Sequence, residues 1–213
     1  MSDYIRRLPV YLLLDCSGSM SGEPIEAVRQ GIKALLNELR GDPQALETAC
    51  LSVITFNSTA RQITPLTELM LFKEPEITAG GATALGGALH VLADCIRSEV
   101  RTSTATQKGD WKPLVFLLTD GAPTDNLDEG IEALKTVSAG NIIACAAGAN
   151  ANTNTLRKIT SNVLMMNNLT AGDLAAFFAW VSGSIKASSK SIDAKPGEAV
   201  QLPPPPQGFV IVP

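Results

Sequence analysis

Residues 9–19 read Pro-Val-Tyr-Leu-Leu-Leu-Asp-Cys-Ser-Gly-Ser, and this stretch decides the fold. The first six residues form a short and almost wholly apolar run, which is typical of a central strand that is covered on both faces. The run ends abruptly in Asp15, Ser17 and Ser19, whose side chains all carry oxygen. The stretch therefore predicts a buried strand with a polar cluster at its carboxyl end.

Strand and helix patterns alternate along the rest of the chain. Apolar residues recur at helical spacing over residues 25–39. Two strand patterns, 49–56 and 60–69, are separated by a turn too short for a crossover helix, which predicts an antiparallel hairpin. The later predicted elements are a helix at 84–100, a strand at 114–118, a helix at 127–137, a strand at 142–147, a short helix at 154–159, a strand at 163–166 and a helix at 171–186.

This order predicts an α/β fold with a doubly wound, mostly parallel six-stranded sheet. The hairpin supplies one antiparallel edge strand, and helices cover both faces. We expect residues 1–188 to form one domain and residues 189–213 to form a Pro-rich tail.

The tail has two distinct parts. Its four consecutive prolines, Pro203 to Pro206, favour an extended polyproline II segment. The apolar end, Gly208-Phe-Val-Ile-Val-Pro213, is unusual for a segment surrounded only by water. The sequence leaves three alternatives open for the tail: a disordered terminus, docking on this domain, or docking on a partner.

Composition restricts the class of partner and the compartment. The net charge of −4 provides no basic surface for nucleic acid. The apolar run at 8–14 is shorter than a membrane-spanning helix, so no membrane partner is expected. The cysteines are widely spaced without a Cys-x-x-Cys pair, which predicts buried reduced thiols and a cytoplasmic protein. These cysteines are Cys16, Cys50, Cys95 and Cys145.

Three polar clusters follow buried sequence at positions that should converge. They are Asp15-Cys-Ser17-Gly-Ser19, Gly80-Gly-Ala-Thr83 and Thr119-Asp120-Gly121. Ligands of doubly wound sheets bind at the carboxyl ends of the strands, close to the switch in strand order. Three hydroxyls and two carboxylates are hard oxygen ligands, which suit Mg²⁺, Ca²⁺ or Mn²⁺ better than zinc.

In order and spacing, the three clusters resemble the metal-ion-dependent adhesion site of von Willebrand factor A (vWA) domains, and the pattern covers residues 8–188. The resemblance implies that Ser17 and Ser19 bind the metal, most suitably Mg²⁺, through their hydroxyls. It implies that Thr83 binds directly or through water, and that Asp15 and Asp120 act mostly through water and hydrogen bonds. The remaining position is then filled by water or by an Asp or Glu of a protein partner.

Within that family, compact size and the sequence of residues 80–89, Gly-Gly-Ala-Thr-Ala-Leu-Gly-Gly-Ala-Leu, are similar to the small bacterial tellurite-resistance proteins of the TerY type. This resemblance implies a role in a bacterial response to tellurite or other chemical stress. It also implies a protein kinase and a phosphatase as associated components.

An enzymatic role is not expected. The one histidine, His90, lies within a helical pattern, and the sequence has neither a Gly-x-Ser-x-Gly elbow nor a P-loop. Two alternatives stay open: a Mg²⁺-dependent phosphoryl-transfer enzyme, and a scaffold whose metal only stabilises the fold. Asp125 is expected to be the N-cap of the helix that begins near Leu127, with a place on the rim of the metal site as the alternative.

Overall fold

The computed structural model describes residues 6–148, 151–190 and 202–212. Its strands are β1 (Leu8–Asp15), β2 (Ala49–Phe56), β3 (Ala60–Glu68), β4 (Leu114–Thr119), β5 (Ile142–Ala147), β6 (Asn162–Met166) and β7 (Phe209–Val212). Its α-helices are α1 (Glu23–Arg40), α2 (Pro43–Thr48), α3 (Leu85–Glu99), α4 (Leu127–Lys135), α5 (Thr153–Arg157) and α6 (Ala171–Lys190), and a short 3-10 helix spans Gly18–Met20.

The strands form one sheet in the order β3-β2-β1-β4-β5-β6-β7. The inner strands are parallel, and β3 forms the predicted antiparallel hairpin with β2. The doubly wound α/β class is therefore confirmed. The sheet has seven strands instead of the predicted six, because β7 from the tail pairs antiparallel with β6 and adds a second antiparallel edge.

Alternation along β1 explains why both faces of the sheet are covered. Val10, Leu12 and Leu14 are buried in a core that also contains the apolar residues of α1 and α6, here called the α1/α6 core. Tyr11 and Leu13 point the other way, into a core shared with α3 and α4, here called the α3/α4 core. No helix in the described part of the chain combines the length and hydrophobicity needed to cross a membrane.

The last helix packs closely on α1 and holds part of the tail. A Cβ placed on Gly31 of α1 would lie 2.1 Å from the Phe178 ring, so this contact requires glycine. The Trp180 ring packs edge-on against Phe116, and its indole N–H donates a hydrogen bond to the Pro203 carbonyl at 3.0 Å. Of the three alternatives for the tail, the structure shows docking on this domain for residues 202–212.

Helices α3 and α4 approach each other backbone to backbone. A Cβ on Gly130 of α4 would lie 2.3 Å from the carbonyl oxygen of Gly86 in α3. A Cβ on Gly86 would lie 2.3 Å from the carbonyl oxygen of Asn126, which caps the start of α4. This contact fixes the segment between β4 and α4 against the start of α3.

Candidate metal centre

The candidate site lies where the order of the strands reverses. From β1 the chain first extends the sheet through β2 and β3, and then returns to place β4 on the other side of β1. The carboxyl ends of β1 and β4 are therefore neighbours, and the crossovers leave a crevice between them. Asp15 ends β1 and Asp120 directly follows β4, so both carboxylates reach this crevice.

Asp15 is fully buried and both of its carboxylate oxygens are hydrogen bonded. Oδ1 accepts from the Ser17 backbone N–H at 2.8 Å, and Oδ2 accepts from the Thr119 hydroxyl at 2.5 Å. The first bond shapes the loop after β1, and the second joins the ends of β1 and β4. Thr119 therefore positions the Asp15 carboxylate, a role that the sequence did not reveal.

Three oxygen-bearing side chains form a row on the outer side of Asp15. The Ser17 and Ser19 hydroxyl oxygens are 3.0 Å apart, and the Ser19 hydroxyl donates to Asp120 Oδ1 at 2.9 Å. Ser17 is buried, Asp120 is half-buried and Ser19 is exposed. The row thus begins in the interior and opens at the surface.

The electrostatics of this row favour a cation. Burial raises the pKa of Asp120 above its ordinary value, and the negative charge of Asp15 adds to the rise. The hydrogen bond from Ser19 opposes the rise. Two carboxylates share a poorly solvated crevice, so an added positive charge would stabilise the ionised form of Asp120.

Thr83 reaches the same crevice from the loop before α3. Its backbone N–H donates to the Thr124 hydroxyl at 3.1 Å, and its carbonyl accepts from the Thr124 N–H at 2.9 Å. A Cβ on Gly121 would lie 3.4 Å from the Thr83 hydroxyl oxygen, so the Thr83 side chain lies against the segment that carries Asp120. Thr124 is a second positioning residue that the sequence did not reveal.

The two glycines before Thr83 bring its loop onto the loop after β1. The Gly81 carbonyl accepts from the Gly18 N–H at 2.9 Å, and the Gly80 N–H donates to the Cys16 carbonyl at 2.8 Å. Gly81 has a φ of 86°, and a Cβ there would lie 2.4 Å from the Ser58 hydroxyl oxygen. The structure thus places all three predicted clusters at one edge of the sheet.

The predicted role of Asp125 as the N-cap of α4 is wrong. Asn126 caps α4, through a hydrogen bond from the Glu129 N–H to its side chain. Asp125 instead accepts from the backbone N–H groups of Gly86 and Gly87, at 3.0 and 2.7 Å, and so caps α3 from the opposite loop. The sequence favoured capping of α4 because it is the nearest helix along the chain. The fold instead brings the start of α3 within hydrogen-bonding distance of Asp125.

Replacing Asp125 by alanine is expected to destabilise the protein and to weaken cation binding. The change leaves two N–H groups at the start of α3 without their cap, which costs about 1–2 kcal/mol. It also loosens the segment that holds Thr83, so we expect about tenfold weaker binding. Thermal unfolding and calorimetric titration with Mg²⁺ measure the two effects, and Asp128→Ala, an exposed change on α4, is the control. Unchanged titration with reduced stability would show that Asp125 acts on the fold alone.

The donor set fits a hard cation. Nowhere in the described ranges do three or more histidine, cysteine, aspartate or glutamate side chains form a group that could hold a metal. This crevice brings together hydroxyls and two carboxylates instead, which is the ligand chemistry of Mg²⁺ and Ca²⁺. The Ser17 and Ser19 hydroxyls are hydrogen bonded to each other at 3.0 Å, so their oxygens are close enough to contact one cation.

Solved structures similar to this chain share its fold. They include the pilus adhesin SpaC from Lactobacillus rhamnosus GG in its open conformation, with 14% identity and a TM-score of 0.67 over 86% of this chain and 30% of that chain. A von Willebrand factor type A protein from Catenulispora acidiphila has 19% identity and a TM-score of 0.62 over 86% and 43%. Proximal thread matrix protein 1 from the mussel byssus, in a structure with a zinc-occupied MIDAS motif, has 18% identity and a TM-score of 0.59 over 84% and 48%.

The chain spans less than half the length of each of these three proteins. A comparison with curated proteins gives no significant match. The family model of the von Willebrand factor type A domain matches residues 10–178, which include every candidate metal ligand. Since this match spans most of the sequence, the chain belongs to the von Willebrand factor type A domain family.

Proposed function

We propose that this vWA domain binds a divalent cation and presents it to an acidic group of a protein partner. The proposed metal residues are Asp15, Ser17, Ser19, Thr83 and Asp120. The observation that carries the proposal is the row of Ser17, Ser19 and Asp120 oxygens, spaced 3.0 and 2.9 Å apart and open to the surface at Ser19. A buried site that only stabilised the fold would not need this opening.

The division between hydroxyls and carboxylates supports recognition of an acid. Both oxygens of Asp15 are already hydrogen bonded, so this carboxylate is suited to act at a distance from the metal. Neutral Ser17 and Ser19 hydroxyls neutralise none of the charge of a dication. A cation held in this way keeps much of its positive charge and attracts an Asp or Glu from a partner.

Mg²⁺ is the proposed metal. A site of few hydroxyls and carboxylates suits Mg²⁺, which keeps several waters, better than Ca²⁺, which takes six to eight oxygen ligands. The mussel byssus protein has zinc in its MIDAS motif. Zinc is therefore the competitor to include beside Mn²⁺ and Ca²⁺ when the metal preference is measured.

The proposed function is that of a binding module and not that of an enzyme. His90 is exposed on α3, where it lines an open groove with Asn126 and Glu129 instead of joining the row of oxygens. Phosphate release in the presence of Mg²⁺ would support the phosphoryl-transfer alternative. Metal-dependent stability without a metal-dependent partner would support the scaffold alternative.

The setting that we propose is the bacterial cytoplasm, in a tellurite or chemical-stress system with a kinase and a phosphatase. Residues 80–89, which resemble the TerY type, support the system, and the four free, buried cysteines support a reducing compartment. Loss of tellurite resistance on deletion of the gene, and its return with the wild-type gene, would test this setting. The Asp120→Asn gene should not restore resistance.

A pull-down from native lysate tests the binding function. Wild-type protein in Mg²⁺ is expected to capture a partner that is lost in EDTA and lost with Asp120→Asn, because each change removes the charged metal. Glu132→Gln, which removes an exposed carboxylate of α4, is the matched control and should capture the partner normally.

Two outcomes would contradict the proposal. The same proteins captured with and without metal would show that the cation does not mediate recognition. A metal-dependent partner that Asp120→Asn still captures would place the recognition site elsewhere on the chain.

A further inference from the structure

Strand β7 ends the sheet with an unpaired outer edge. In the part of the chain that the structure describes, β7 pairs with β6 alone. Its two central residues, Val210 and Ile211, are 47% and 58% exposed. An exposed apolar edge strand offers backbone groups and side chains to another strand.

The opposite edge of the sheet is protected against such pairing. Strand β3 carries Arg61 and Glu68, contains Pro65, and pairs with β2 through two register shifts. Charged residues, proline and bulges are the features that prevent edge strands from pairing. The sequence of β7, Phe-Val-Ile-Val, has no charge and no proline, and no register shift interrupts its pairing with β6.

The tail holds β7 in a defined place. Trp180 donates to the Pro203 carbonyl, and Phe209 and Leu202 pack against the α1/α6 core. Val212 packs against the α3/α4 core on the other face of the sheet. The contacts of Phe209 and Val212 thus hold both ends of β7. Its outer edge is therefore already extended and can pair with a second strand.

We propose that β7 pairs antiparallel with β7 of a second copy of this chain, which joins two sheets into one across a two-fold axis. Residues directly opposite in such a pair lie on the same face of the sheet, so the axis passes through Val210 or through Ile211. In either arrangement, Val210 and Ile211 each lie opposite the same residue of the second copy or opposite another apolar residue of its β7. With no charge in the strand, the two copies do not repel each other at this contact.

The lack of charge also favours a second copy over a different partner. A charged edge would select a partner of opposite charge, whereas a neutral apolar edge is complementary to itself. A two-fold contact uses the same surface on both copies and closes after two, which fits the one unprotected edge strand of the described sheet. The strand is only four residues long, so we expect a weak, concentration-dependent dimer.

Sedimentation of the full chain across a range of concentrations tests the pairing. The wild type is expected to form dimers as its concentration rises. Val210→Lys and Ile211→Lys should each weaken the dimer by about tenfold or more, because lysine is charged and at one of these positions faces its own copy. Leu71→Lys, at a residue that is 69% exposed and outside the edge strands, is the control and should leave dimerisation unchanged.

Mixing experiments identify the two-fold contact. Each of Val210→Lys, Val210→Glu, Ile211→Lys and Ile211→Glu alone should be mostly monomeric. An equimolar Lys and Glu mixture at the axis position should restore the dimer, since opposite charges then face each other. A wild type that stays monomeric at all concentrations would overturn the proposal. Dimers that persist in both lysine variants would also overturn it and would indicate another contact, such as exchange of whole tails.

Discussion

Asp120→Asn is expected to remove Mg²⁺-dependent stabilisation while leaving the metal-free protein as stable as the wild type, or more stable. Burial and the charge of Asp15 raise the pKa of Asp120, so the ionised carboxylate is unfavourable until a cation is bound. The amide has no charge to desolvate and keeps an oxygen that can accept from Ser19. We expect about 100-fold weaker Mg²⁺ binding.

Thermal unfolding with and without Mg²⁺ measures both parts of this prediction. At about a hundred times its dissociation constant, Mg²⁺ should stabilise the wild type by about 2.7 kcal/mol, and most of this gain should be absent in Asp120→Asn. Ser19→Ala is the comparison, because it removes one hydroxyl but leaves both carboxylates, and should weaken binding less. Equal Mg²⁺ stabilisation of the wild type and Asp120→Asn would contradict the assignment of Asp120 to the metal site.

The same pKa shift sets a pH dependence with a definite sign. Since the pKa of Asp120 is raised in the folded, metal-free protein, this residue lowers stability as the pH rises through that pKa. Bound Mg²⁺ should reverse the trend, because it favours the ionised carboxylate. The metal-free stability of Asp120→Asn should lack this contribution.

The convergence of the proposed metal ligands could be predicted from sequence because each belongs to a short motif at the end of a recognisable element. The apolar run of β1 places Asp15 at its end, and that of β4 is followed directly by Asp120. General rules for doubly wound sheets then bring these ends together. Their convergence needs only strand order, and no knowledge of particular side-chain contacts.

The positioning residues could not be predicted in this way. Thr119 bonds to Asp15 across two strands, and Asp125 caps α3 from the segment before α4. Both contacts join residues far apart in sequence, so local pattern favours a nearer partner. For Asp125, the local pattern favoured capping of α4, but the residue that caps α4 is the next one along the chain, Asn126.

One α-helix and one strand were missing from the sequence prediction for different reasons. Helix α2 has six residues, too few for apolar periodicity, although Asp42 and Pro43 form a common helix start. Strand β7 has a clear apolar pattern, but nothing local shows that its pairing partner is β6. The apolar pattern of this segment therefore left the three alternatives for the tail open.

Gly130→Ala is expected to destabilise the protein and weaken the metal site, although alanine is the better helix former. The new Cβ would lie 2.3 Å from the backbone carbonyl oxygen of Gly86, and backbone cannot rotate away as a side chain can. Helix α4 must therefore move from α3. We expect a net loss of about 2 kcal/mol after the helix-propensity gain, and a melting temperature lower by about 4–8 °C.

The metal site should respond because the displaced helix begins beside the segment that carries Asp120 and Asp125. Gly87→Ala is the matched control, since a Cβ there meets its two nearest neighbours, Ala60 Cβ and Asp125 Oδ2, both at 3.6 Å, which is ordinary contact. That variant should be unchanged or more stable by up to about 1 kcal/mol, with normal Mg²⁺ titration. If Gly130→Ala behaves like Gly87→Ala, the two helices have room to separate, and the α3/α4 contact does not hold the metal site in place. If Gly130→Ala alone loses both stability and Mg²⁺ affinity, the packing of two helix backbones fixes the position of the metal ligands.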